Sequence, residues 1–204
     1  MDFDTLAQED INYGKYLLSQ DHLYKKIPEN QRSKLIQQAV ECGKTAAENL
    51  AADDLWDYCH QEKIEIEFFQ EELKAENFRF VLAEFQLPNR IRLNQSLLTA
   101  AEPFLLAQDF FKDQRVADIL LAHELYHYLE NQQQLFTIKK QLTYQTGPFK
   151  RQARLHALSE IAAMSFAQAH LDLPFSPVIL NLALLYPIAP DYSEQLAKRL
   201  LVID

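Results

Sequence analysis

The chain has 204 residues, 48% of them apolar and 24% charged, with a formal net charge of −9. That length and balance fit one globular domain with a core of its own and exclude a disordered chain. The negative charge, with no basic run or basic–aromatic interleaving, argues against direct binding to a nucleic-acid phosphate backbone.

The opening segment, Met1 to Asp10, is acidic and has no apolar core of the kind a signal peptide carries. No apolar stretch approaches the ~18 residues that span a bilayer. A soluble, cytoplasmic protein away from the membrane is the expectation. From about Glu29 to Glu62 the pattern is helical, with Pro28 marking its start and Gly43 a point where it bends or splits. Cys42 and Cys59 are too few for a disulfide framework and too far apart for a zinc ribbon, so both read as reduced and structural.

The period then changes from helical to alternating. Ile64 to Phe68 alternates strictly, Phe78 to Phe85 is aromatic and largely alternating, and Ile91 to Asn94 alternates again after the turn-like Leu87-Pro88-Asn89. Three short strands are predicted, with Glu62 to Glu76 as a solvated strand edge and turn. The remainder reads as helix, interrupted at Gly147-Pro148, Pro174 to Pro177 and Pro187 to Pro190. The expected architecture is one α+β domain over 1–204. It has N-terminal helices to about 62, a sheet at about 63–96, two long helices within about 113–171 and C-terminal helices from about 175.

One of those long helices, Arg115 to Leu129, contains His123-Glu124-Leu125-Tyr126-His127. Residues four apart lie about 40° apart on a helix, so both imidazoles can reach one ion. Glu124 sits roughly 60° from His127, where a general base for a metal-activated water belongs. The helix is apolar on nearly every side, and two histidines and a carboxylate there are costly to bury without a partner. A metal ion satisfies all three. Catalytic zinc takes three protein ligands, and the next long helix, expected over Lys150 to His170, carries one acidic residue, Glu160, among apolar neighbours. Small Ala163 and Ala167 on its side would let the two helices approach closely.

The order Ile91-Arg92-Leu93-Asn94, His123 to His127, then Glu160-x-x-Ala163-x-x-Phe166-Ala167 resembles the ImmA/IrrE family of metallo-endopeptidases, relatives of the glutamate-ligand zincins. The resemblance covers roughly residues 35 to 170. It implies a zincin-like fold with about three strands, antiparallel or mixed, packed on the active-site helix. It also implies Zn2+ held by His123, His127 and Glu160, with Glu124 as catalytic base. Members often have Gly where Tyr126 stands, and an apolar residue and a histidine where Glu130 and Asn131 stand. Several relatives cleave helix-turn-helix repressors, so the implied substrate is a protein or peptide, such as a regulator of that kind.

Three further residues are candidates beside the metal. His156 lies one turn before Glu160 and reads as an oxyanion donor, an alternative ligand or a core histidine. Tyr144, in the connection before Gly147-Pro148, is either a donor reaching over the cleft or a packing residue. Glu130 falls about 20° from His123 on the helix wheel and either orients a ligand histidine or ends the helix in water. Two other classes share the motif: a catalytically silent zinc-binding sensor or interaction module, and a di-iron carboxylate protein, which needs further Glu-x-x-His sequences on a four-helix bundle.

Overall fold

A computed structural model describes residues 3, 6, 12–73, 80–111 and 115–201. The elements, in chain order, are α1 (Tyr13–Gln20), α2 (Glu29–Asn49), α3 (Leu55–Gln61), β1 (Glu65–Phe69), β2 (Ala83–Gln86), β3 (Arg90–Asn94) and α4 (Gln95–Leu105). They continue with α5 (Val116–Gln133), α6 (Phe136–Lys139), β4 (Gln141–Thr146), β5 (Phe149–Arg154), α7 (His156–His170), α8 (Val178–Leu185) and α9 (Pro190–Leu201). The class is α+β, as expected.

The three predicted strands form one mixed sheet in the order β1-β3-β2, with β1 parallel and β2 antiparallel to β3. Alternation on β3 buries Ile91 and Leu93 and turns Arg92 the other way, where it pairs with Glu67 on one side and Glu84 on the other. Opposite charges directly across neighbouring strands fix the register. Asn94 then closes the strand: its side-chain Oδ1 accepts from Leu97 N (3.1 Å), starting α4, and its side-chain Nδ2 donates to Val81 O (2.8 Å) and Glu71 Oε1 (2.6 Å). Glu71, expected in a solvated turn, is therefore tied into the sheet. The predicted second strand is shorter than Phe78 to Phe85; residues 74–79 lie outside the described residues.

Three predicted boundaries need correction. The helix expected over Glu29 to Glu62 is two helices, and the break falls at Leu50 to Asp54, not at Gly43. Asp54 accepts from the amides of Trp56 (2.7 Å) and Asp57 (3.0 Å), capping a new helix. The connection around Gly147-Pro148 is a β-hairpin. Gly147 has φ +57°, in the left-handed region where glycine carries no Cβ penalty. Gly147-Pro148 forms a two-residue loop between paired Thr146 and Phe149. As a result the helix expected from Lys150 begins at His156.

The helices stack beside the sheet. α5 packs on β2 and β3 with one side and on α7 with the other, and α7 in turn lies against α2. Gly43 is the point of closest approach between α2 and α7 that its lack of a side chain permits: a Cβ there would lie 2.2 Å from Ala162 O. Nearby, Ser165 donates to Val40 O at 2.9 Å. Both cysteines are free thiols. Burial pushes the Cys59 thiol up to about 12, so it stays protonated and unreactive.

Candidate metal centre

α5 is buried around most of its circumference, with Leu121, Ala122, Leu125 and Tyr126 fully enclosed. His123 and His127 occupy the one side left partly open, with side chains 13% and 14% exposed. Across from them α7 presents Glu160 on the cleft wall. The start of α7 is set by a distant cap: Asp21, just after α1, accepts from Ala157 N at 3.1 Å. That carboxylate satisfies an amide that helix geometry leaves unpaired.

His123, His127 and Glu160 form a group that could hold a metal ion. The two Nε2 atoms are 3.3 Å apart, Glu160 Oε2 is 3.3 Å from His123 Nε2, and Glu160 Oε1 is 3.6 Å from His127 Nε2. Ligands at the ~2.0–2.1 Å typical of zinc, arranged tetrahedrally, stand roughly 3.3–3.4 Å from one another. The two imidazole nitrogens stand at that spacing, each meets one oxygen of the Glu160 carboxylate, and one ligand atom from each residue lies within 4.8 Å of the others; two nitrogens with one carboxylate suit zinc chemically.

The charges of the site favour an ion pair across the cleft. Glu160 is held down to about 2: burial opposes ionisation, but contact with His123 and the nearby His127 and His156 outweigh it. For His127, burial disfavours the charged ring, yet Glu130, Glu160 and Glu124 raise it to about 9. Glu124, only 7% exposed, is shifted the other way from Glu160. Burial pushes its carboxyl up, against the pull of His123 and His127 and a smaller one from the backbone amide of Phe85 on β2. A carboxyl beside such a group that binds protons more readily than usual is suited to proton transfer.

Glu130 is 2% exposed, and four groups meet its carboxylate. His127 Nδ1 lies 3.2 Å away, Thr137 Oγ1 2.6 Å and an Arg154 terminal nitrogen 3.0 Å; the Ser159 hydroxyl makes a short contact. This places a carboxylate on the ring nitrogen of His127 opposite the one facing the ligand group. The arrangement fixes a ligand histidine's orientation and leaves Nε2 free to coordinate. Thr137, Arg154 and Ser159 were not among the residues singled out by sequence. They come from α6, β5 and α7, and no local spacing connects them.

The remaining candidates separate. His156, at the exposed start of α7, lines the same cavity of about 590 Å3 as His123, Glu124, His127 and Glu160. Tyr144 does not line it; it sits on β4, opposite Arg151 and partly packed against the core. Tyr126 points away from the cleft, and its hydroxyl meets Thr137 Oγ1 (3.0 Å) and Cys42 Sγ (3.4 Å). A further wall of the cavity comes from Val81 to Phe85 and Leu87, and from Leu180 and Asn181 on α8. Among the described residues no helix is long and apolar enough to cross a membrane. Compared with protein-family models, curated proteins and solved structures, the chain has no significant match.

Proposed function

We propose that the chain is a zinc-dependent endopeptidase that hydrolyses a peptide bond in another cytoplasmic protein, a helix-turn-helix regulator being the first candidate. The observation that carries this reading is the meeting of a His–His–Glu group able to hold a metal ion with Glu124, a buried carboxyl of raised proton affinity, in one cleft. The resemblance to ImmA/IrrE peptidases supports the same assignment. A zinc ion held by His123, His127 and Glu160 supplies Lewis acidity, polarising the scissile carbonyl and acidifying a water.

Glu124 takes the proton of the attacking water as the new C–O bond forms. It passes that proton to the amide nitrogen as the C–N bond breaks, and the water's second proton follows to the released amine, so the peptide becomes a carboxylate and an ammonium. Phe85 lines the same cavity wall beside Glu124. His156, on the cavity wall, is the candidate donor to the developing oxyanion.

The test is metal analysis joined to cleavage. The purified protein is expected to carry about one zinc per chain and to cut a regulator encoded beside it, with the new N-terminus read by mass spectrometry. Chelation abolishes cutting and added zinc restores it. Two irons per chain, or full zinc occupancy with no cut in any such regulator, sinks the peptidase reading.

Glu130 yields a prediction independent of proteolysis. Glu130→Gln keeps the side chain's volume but removes the charge facing His127 and Arg154, and zinc affinity is expected to fall about 10–100-fold. Competition against a chromophoric chelator measures it. An affinity within twofold of the parent would show that Glu130 has no part in orienting His127.

A further inference from the structure

We propose that the β4–β5 hairpin, with the two lysines that precede it, is a docking surface for an acidic segment of the protein substrate; this rests on the peptidase reading above. Between Glu130 and Glu160 the sequence contains no Asp or Glu, yet it contains Lys139, Lys140, Lys150, Arg151 and Arg154. In a chain of net charge −9, such a stretch is a local reversal of sign. The basic residues fall in two separated pairs and a single arginine, and the hairpin brings them onto one projection.

Among the described residues the hairpin stands apart from the other sheet, β4 pairing only with β5. Strand alternation puts Arg154, Gln152 and Lys150 on one face of β5, and register adds Gln141, Thr143 and Gln145 from β4. That face is polar throughout, so it is not built to pack against a core. Its base is part of the cleft: Arg154 lines the cavity and reaches Glu130. The Arg154 Nε is buried with no acceptor among the described residues.

What sets these cations apart is the absence of acids in their stretch of sequence; lysines with no carboxylate partner among the described residues, such as Lys34, Lys44 and Lys63, occur elsewhere too. Arg32, Arg90, Arg92, Arg115 and Arg154 each face a described carboxylate. Lys139, Lys140, Lys150 and Arg151 pair with none among the described residues. Each six-residue strand is about 20 Å long, so the hairpin, with Lys150 and Arg154 on one face and Arg151 on the other, matches roughly six extended residues running outward from the cleft. An acidic peptide is repelled by most of this protein and attracted here, which orients it toward the site. A nucleic acid carries its charge over a longer span and would meet the surrounding negative surface as well.

Fluorescence anisotropy on the full chain tests this directly. The probes are a labelled peptide of alternating Glu and Ser and its counterpart with Gln for Glu. The acidic peptide is expected to bind at least ~10-fold more tightly, with affinity falling as salt rises. Lys139→Glu, Lys140→Glu, Lys150→Glu and Arg151→Glu combined should erase that preference without lowering the melting temperature, and Lys150→Gln with Arg151→Gln should weaken it partially. Equal binding of the two peptides overturns the proposal. So does a charge-reversed protein that melts normally and binds as before. Tighter binding of duplex DNA or phosphatidylserine vesicles than of the acidic peptide, lost in the reversed variant, also overturns it. Because the readout is binding, a protein that holds the peptide but cuts nothing removes the peptidase reading and leaves the docking surface standing.

Discussion

Replacing Glu124 by Gln is expected to slow peptide hydrolysis by about 10²–10⁴-fold while zinc content stays at that of the parent. The amide has the volume of the carboxylate, so the closely packed wall formed with Phe85 keeps its shape. What disappears is the proton acceptor. Burial already disfavours charge on Glu124, and His123 and His127 only partly offset that, leaving a group able to gain and release a proton within one reaction cycle. Gln can do neither. The histidines and Glu160 lie on other faces or another helix, so metal affinity should be unaffected. The measurement is kcat/KM on a cleaved substrate together with metal stoichiometry. Activity within tenfold of the parent would show that another group takes the proton; loss of zinc would make the result a failure of assembly instead.

Substituting Gly43 by Ala is expected to destabilise the fold by about 3 kcal/mol. A drop in melting temperature of roughly 6–12 °C follows for a chain of this size. Two effects compete. Ala favours a helix interior over Gly by roughly 1 kcal/mol, and nothing in the backbone of Gly43 requires glycine. Against this, the new methyl would meet Ala162 O at 2.2 Å, Phe166 N at 2.9 Å and Ser165 Cβ at 2.9 Å. Two of those atoms are backbone, so no rotamer change relieves the contact and α2 and α7 must separate. Glu160 rides on α7 two residues before Ala162, so the same displacement should weaken metal binding. Thermal melting and a chelator competition read the two consequences. A variant that melts at or above the parent temperature would mean the helices yield without cost.

The parts of this protein that could be read from its residues are those fixed by short-range geometry. The spacing of His123 and His127 is a property of one helix, and alternation from Ile64 to Phe68 and from Ile91 to Asn94 is a property of single strands. Glu160 was recognisable because an acid stood alone in an apolar helix, and it joins the two histidines in a group able to hold a metal. The hairpin was missed because Gly147-Pro148 serves equally as a helix break and as a two-residue loop. Thr146 and Phe149 pair across it, which only partner strands reveal. The threonine-rich, alternating run Leu142 to Thr146 was the signal available. Gly43 read as a defect in a helix because the atoms it accommodates are about 120 residues away. The start of α7 was misplaced for the same reason: its cap, Asp21, is separated from Ala157 by 136 positions.

The walls of the cleft are contributed in sequence by β2, α5, α7 and finally α8. On a ribosome, which releases the chain from its N-terminus, both histidines and Glu160 emerge before Leu180 and Asn181. A nascent chain can thus possess every candidate ligand while its cavity lacks a side, and the enclosure forms only once the later helix docks. Closure of the cavity thus waits on a helix that follows every candidate ligand in the chain.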